Sequence, residues 1–422
     1  MQNETIALHA GYNKKEGNGS MAVPITQTTA YAFRDSEHAA NLFALKELGP
    51  IYTRLTNPTT DVLEQRFAAL EGGAAAICVA SGQSAIFYAV ANVAEAGDNI
   101  LISDKLYGGA VTLLAHTMKR FGITARVFKS EDASNLEEQI DDKTKAIFFE
   151  SLSNPQIAIT DIEKVVEIAK KHGVLTICDN TVATAALFNP IKWGVDVVVH
   201  STSKYTNGQG TAIGGIVVER DGMAEFFKAN SNRYSHFTTP DESYHGLVYT
   251  DVPLPNFCLR IRLSLLRDIG AAQAPFNSWL LIQTLETLGL RVDKHSDNAL
   301  EVAKFLESHP KVKAVNYPGL TSNKYYAKAQ KYFKGGKSSG LISFDVSSFE
   351  EARKVIDSAK LFSVVVNIGD SKSLIVHPAS TTHSQMSPEE LAKAGVNPVT
   401  IRLSIGLENT VDLIEDLNQA LN

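Results

Sequence analysis

Short apolar runs without polar alternation punctuate the first two thirds of the chain: "AAAICVA" (74–80), "NILIS" (99–103), "TARVF" (124–128), "KAIFFES" (145–151), "VLTICDN" (174–180), "VDVVVHS" (195–201) and "GGIVVE" (214–219). Runs of β-branched and aromatic residues of this kind suit strands covered on both faces. Between them, apolar residues recur at helical spacing and predict helices over 83–95, 108–121 and 160–172. In the last, "TDIEKVVEIAKKH", Thr160 and Glu163 are spaced as a capping box. Ile162, Val165, Val166, Ile168 and Ala169 form one stripe, and Gly173 is the stop. Strands alternating with helices predict an α/β fold on a doubly wound, mostly parallel sheet, whose ligands sit outside the strand carboxyl ends.

The pattern then changes. Residues 277–308 predict a long amphipathic helix, "KAVNYPG" (313–319) a strand and turn, and 335–346 and 362–383 further strands. "VTIRLSIGLE" (399–408) alternates in period two. These describe a smaller carboxyl-terminal α/β domain. We divide the chain into an arm (1–61), a large domain (62–272) and a second domain (273–422).

Composition narrows the classes. Charged residues are 20% of the chain and the formal charge is −6, which argues against nucleic acid as the main partner. The start "MQNETIALHAGYNKK" lacks the order of a secretory signal, and no apolar stretch approaches membrane-spanning length, so a cytoplasmic protein with no membrane partner is expected. Cys78, Cys178 and Cys258 are too scattered for a disulfide framework or a metal site and read as buried thiols.

The chemistry gathers at the strand ends. "STSK" carries Lys204 just past the run at 195–201, Asp179 closes the run at 174–180, "SNP" places Asn154 after the run at 145–151, and "ASGQSA" opens a helix at Gly82 and Gln83. Singly these are ordinary: a solvated lysine, a helix-capping aspartate and a glycine turn with a serine cap. Together they suit one cofactor, pyridoxal phosphate. Its aldehyde needs a lysine amine, its pyridine nitrogen a carboxylate, and its phosphate a helix start with hydroxyls. A nicotinamide fold is disfavoured, because the glycines of "NGQGTAIGG" (207–215) precede a strand and do not open a helix.

The "SxxK" turn, Asp179, "SGQSA" and "YTRLTNPT" (52–59) resemble the cysteine and methionine metabolism family of pyridoxal phosphate enzymes over nearly the whole chain. The resemblance implies the fold type I transferase architecture, Lys204 as the lysine that carries the cofactor and later acts as base, and Asp179 at the pyridine nitrogen. It also implies Tyr107 as the stacking tyrosine that assists proton transfer, and Gly82, Gln83, Ser201 and Ser203 as phosphate binders; at the last position relatives often carry threonine. Tyr52 and Arg54 would reach a neighbouring subunit's phosphate, so the resemblance implies a homo-oligomer, a tetramer built from dimers with shared sites. Arg402, in "RLSIGLE", would clamp the substrate's α-carboxylate, with Asn154 and Asn367 as further substrate contacts.

Within the family, "NIGDSKSLIVHPASTTH" (367–383) and the stretch "HFTTPDESYHGLVYTD" (236–251) resemble the O-acetylhomoserine sulfhydrylases. Cystathionine γ-synthases and lyases have a shorter middle region and commonly serine at the Asn367 position. Methionine γ-lyases commonly carry cysteine where this chain has Gly109. The implied reaction is γ-replacement on O-acetyl-L-homoserine by sulfide, methanethiol or a protein thiocarboxylate. Cystathionine synthesis, γ-elimination and a non-catalytic oligomeric relative are the alternatives.

Overall fold

The structure, a computed structural model, describes residues 1–15, 19–381 and 397–422. Seven strands form the main sheet: β1 (Ala75–Val79), β2 (Asn99–Ser103), β3 (Thr124–Phe128), β4 (Thr144–Glu150), β5 (Leu175–Asp179), β6 (Val197–His200) and β7 (Gly215–Glu219), in the order β1-β7-β6-β5-β4-β2-β3. The block from β3 to β6 is parallel throughout, whereas β7 runs antiparallel to both β1 and β6. The predicted mostly parallel, doubly wound sheet is therefore present.

Strand alternation explains why these runs carry so little polarity. Ile147, Phe149, Cys178 and Val198 point into one buried cluster, and Ala146, Phe148, Ile177, Val197 and Val199 into another on the opposite face. Both faces are apolar because helices cover both. Burial of each such large side chain stabilises the fold by roughly 1.5–3 kcal/mol. The three cysteines are free and buried, and burial pushes their thiols up.

A second sheet of five strands, in the order β10-β11-β12-β9-β8, is made of β8 (Ala314–Asn316), β9 (Leu341–Asp345), β10 (Ser363–Val364), β11 (Leu374–Val376) and β12 (Thr400–Ser404). It has its own core, with Ile342, Phe344, Ile375, Ile401 and Leu403 packed on Val302 and Leu417.

Several local expectations are corrected. The helix at Ile162–His172 is capped by Asp161, whose side chain accepts from Lys164 N–H, and not by Thr160. The Thr160 hydroxyl instead donates to the Glu150 carbonyl at 2.7 Å, and Glu163 pairs with Lys331. The helix expected over 277–308 is two, Pro275–Leu285 and Leu288–Ser308. At the break, Arg291 Nη2 donates to the Thr284 carbonyl at 2.7 Å and so occupies the acceptor that a continuous helix would offer to Leu288. The stretch 108–121 is helical but changes pitch, from α (Gly108–Val111) through π (Thr112–Thr117) to 3-10 (Met118–Phe121). The helix expected over 83–95 runs Gly82–Ala91. Of the segment 367–383, Thr382 and His383 lie outside the described residues.

Candidate active site

Lys204 sits in a turn that the rest of the molecule fastens. Its own N–H bonds back to Ser201 O at 3.3 Å, and Gly208 N–H bonds to Lys204 O at 2.8 Å. Arg291 holds the carbonyls of Tyr205 (2.6 Å) and Thr206 (3.0 Å), and the buried Tyr205 hydroxyl accepts from Gly340 N–H at 3.2 Å. Only glycine suits position 208. Its φ is +68°, and a Cβ there would lie 2.1 Å from Arg291 Nη1. So anchored, Lys204 Nζ donates to Asn367 Oδ1 at 2.7 Å. Burial and then the Arg402 charge pull its pKa below the usual lysine range, which favours the neutral, nucleophilic amine.

Asp179 ends β5 beside Glu150, which ends β4, the two being direct register partners. One Asp179 oxygen accepts from Thr181 N–H at 2.9 Å, and the Thr181 hydroxyl accepts from Ser201 N–H at 2.8 Å, so the ends of β5 and β6 are tied together. Burial raises the Asp179 carboxyl, the Thr181 bonds opposing it. A carboxylate so placed gains most from a cation or a protonated ring nitrogen.

The helix Gly82–Ala91 starts against this edge. Ser81 caps it by accepting from Ser84 N–H at 3.1 Å, which leaves the first-turn N–H groups of Gly82 and Gln83 without partners inside the helix. Position 82 needs glycine, since a Cβ would fall 2.5 Å from that of Ser201. Helix start and Ser201 thus approach closely enough to share one anion. Ser203 is committed differently: its hydroxyl accepts from Gly214 N–H at 3.0 Å and can donate to Gly214 O at 3.2 Å. Gln83 Nε2 donates to Gly109 O at 3.0 Å, fixing the loop of Tyr107. The Tyr107 ring lies over Gly109, where a Cβ would come within 2.5 Å of it, so a side chain at 109 would displace the ring.

Arg402 is only 3% exposed. It donates to Asn154 Oδ1 and to the Asn367 carbonyl, each at 3.0 Å, while its Nε has no partner. Burial lowers its pKa to about 10. A buried guanidinium held by neutral acceptors, with a donor to spare, is suited to an incoming carboxylate.

Lys204, Asn367, Arg402 and Asn154 are therefore one hydrogen-bonded group, and Asp179, Ser201, Gly82 and Gln83 line the neighbouring strand ends. Tyr52 and Arg54 are not brought to Lys204 in this chain. Both are exposed, Tyr52 pairs with Ala30, and Arg54 lines a separate open groove with Phe43, Leu55 and Arg262. Reading the sequence alone missed Glu150 and Arg291. Glu150 ends an apolar run just as Asp179 does, a signal that was available. Arg291 carries none, because its role depends on a loop far away in the chain.

A lysine amine of lowered pKa, a buried carboxylate and a helix start with nearby hydroxyls are the donor set that pyridoxal phosphate requires, and the fold and the donor set are those of a pyridoxal phosphate enzyme. The chain belongs to the Cys/Met metabolism PLP-dependent enzymes, whose family model matches residues 4–422. It is 48% identical to the O-acetyl-L-homoserine sulfhydrylase of Leptospira meyeri, over 99% of this chain and 96% of that protein. It is 44% identical to the homocysteine synthase of Schizosaccharomyces pombe, over 99% and 97%. A Campylobacter jejuni crystal structure, provisionally assigned as an O-acetylhomoserine (thiol)-lyase and containing N'-pyridoxyl-lysine-5'-monophosphate, superposes with a TM-score of 0.98. Its identity is 57%, with 100% of both chains covered.

Proposed function

We propose that the protein converts O-acetyl-L-homoserine and sulfide to L-homocysteine and acetate: the Cγ–O bond breaks, acetate leaves and a Cγ–S bond forms. The names of its relatives support this reading. The observation that carries it is the hydrogen-bonded series in which Asn367 bridges Lys204, an amine of lowered pKa, to a buried Arg402 that carries an uncommitted donor.

When bound, pyridoxal phosphate supplies the aldehyde that joins the substrate amine and the ring that takes up electrons from Cα. In our reading Lys204 and Asp179 hold its two ends, and Gly82, Gln83, Ser201 and Ser203 its phosphate. Ser203 must then turn its hydroxyl away from the Gly214 carbonyl. Arg402 receives the substrate carboxylate in two-pronged fashion, with Asn154 and Asn367 fixing the plane of the guanidinium. Lys204 Nζ, released from Asn367, removes the Cα proton and then a Cβ proton. Tyr107 assists proton transfer as acetate leaves. Residues 1–61 serve as an arm toward a second subunit, 62–272 hold the cofactor and 273–422 hold the carboxylate. Methanethiol or a protein thiocarboxylate would attack the same carbon.

Absorbance between about 300 and 500 nm before and after adding O-acetyl-L-homoserine, with product analysis, tests the proposal. The cofactor band should respond to substrate, with homocysteine appearing only when sulfide is present. Lys204→Ala should lose about 10³-fold or more in turnover. Substantial turnover by that variant would refute the assignment, and keto acid formed without sulfide would favour elimination.

A further inference from the structure

Glu150 stands in an unfavourable place for a carboxylate. It is 4% exposed at the end of β4, and burial followed by the neighbouring Asp179 pushes its carboxyl well above the usual range. A neutral side chain of the same size would fit there at lower cost. Its two oxygens are nonetheless both in use: one accepts from Tyr107 N–H at 2.6 Å, the other from Asn154 N–H at 3.1 Å.

Those two bonds join what would otherwise be separate loops. The contacts run from Lys204 Nζ to Asn367, from Asn367 O to Arg402, from Arg402 to Asn154 Oδ1, and through Asn154 N–H and Glu150 to Tyr107. Gln83 closes the far end through Gly109 O. Glu150 is the one carboxylate in this series, and the series spans the loops after β2 and β4 and the second sheet.

We propose that Glu150 is a positioning residue, whose carboxylate holds the Tyr107 and Asn154 N–H groups in fixed relation and so couples the grip of Arg402 on the substrate carboxylate to the placement of Tyr107 against the cofactor. The proposal rests on the functional reading above. A merely structural acid would stabilise the fold without linking the two loops.

Glu150→Gln in the holoenzyme separates the two. Glutamine keeps the volume and one acceptor but turns an NH2 group toward a backbone N–H donor. The variant should keep its cofactor content while KM for O-acetyl-L-homoserine rises about tenfold or more, the cost of leaving one buried N–H donor unpaired. The visible circular dichroism of the bound cofactor should weaken as Tyr107 shifts. Asn154→Ala should raise KM in the parent but raise it little further in E150Q, since linked groups do not act additively. Wild-type KM and dichroism in E150Q, or additive effects, would overturn the proposal. If E150Q does not fold, Glu150→Asp carries the same test, because it keeps the two carboxyl oxygens but withdraws them by one methylene: unchanged KM and dichroism there also refute the coupling. Lys204→Ala run alongside keeps the layers apart. If it stays active, the underlying reading fails; if it is inactive while E150Q behaves as wild type, this inference alone falls.

Discussion

Arg402 shows how much a single residue's surroundings decide. In the sequence it is one cation in an alternating strand, and an exposed position would have suited the pattern equally well. In the fold it is enclosed, its charge met by two carbonyl oxygens and its Nε left over. Neutral acceptors offset only part of the desolvation of a buried charge, so the site gains on receiving an anion. Arg402→Ala should therefore raise KM for O-acetyl-L-homoserine by about 10² to 10³, equivalent to roughly 3–4 kcal/mol of lost pairing, with cofactor binding retained. Arg402→Lys should recover little, because an ammonium cannot reproduce the planar fork. Steady-state kinetics with cofactor absorbance check both, and a KM unchanged in the alanine variant would remove Arg402 from substrate binding.

At the scale of elements, Glu219 at the end of β7 shows a strand and a helix joined through one carboxyl. It accepts from Phe257 N–H at 3.1 Å and Cys258 N–H at 2.8 Å in the first turn of the helix Asn256–Arg260, a favourable place for a negative charge. Burial nevertheless raises its pKa to about 7 from the ordinary 4.5. The folded protein thus binds more protons here than the unfolded chain between these values, and this group's contribution to stability falls as pH rises through that window. Glu219→Gln should flatten the pH dependence of holoenzyme stability there by about 2 kcal/mol between pH 5 and 7.5, as measured by denaturant unfolding. Parallel pH profiles for the two proteins would contradict this. Neither partner in this contact could be paired from sequence. The strands of the main sheet were legible to within a residue or two, because covered strands leave an apolar run, and Lys204 and Asp179 stood out as polar groups closing such runs, whereas the stretches 335–346, 362–383 and 399–408 extend well beyond β9, β10, β11 and β12. What stayed hidden depends on distant chain: Thr160 lost its capping role to the Glu150 carbonyl, the helix at 277–308 broke where Arg291 took the Thr284 carbonyl, and Glu150 gained meaning only from its register against Asp179.

Across the whole molecule, the position of Arg54 bears on what the working unit is. Arg54 lies within 5.3 Å of the Tyr52 ring on an exposed arm, on the wall of an open groove of about 1120 Å³ that also carries Phe43, Leu48 and Arg262. Phe43 is 51% and Leu48 67% exposed, which leaves an apolar wall suited to a second copy of the chain. We propose that the arm reaches the partner's cofactor phosphate, so that each site draws Lys204 from one subunit and Arg54 from the other. The consequence is quantitative. Arg54→Ala and Lys204→Ala should each be nearly inactive alone, yet a mixed population should recover activity, because one site of each hybrid pair has both native residues. With random pairing, half the dimers are hybrids with one intact site of two, so about a quarter of wild-type activity should return. Co-expression of the two variants at equal levels, followed by assay of the unfractionated population, measures it. Recovery to that level would establish shared sites and an obligate oligomer, whereas hybrids no more active than their parents would return the arm to an ordinary surface segment and make each chain's site self-contained.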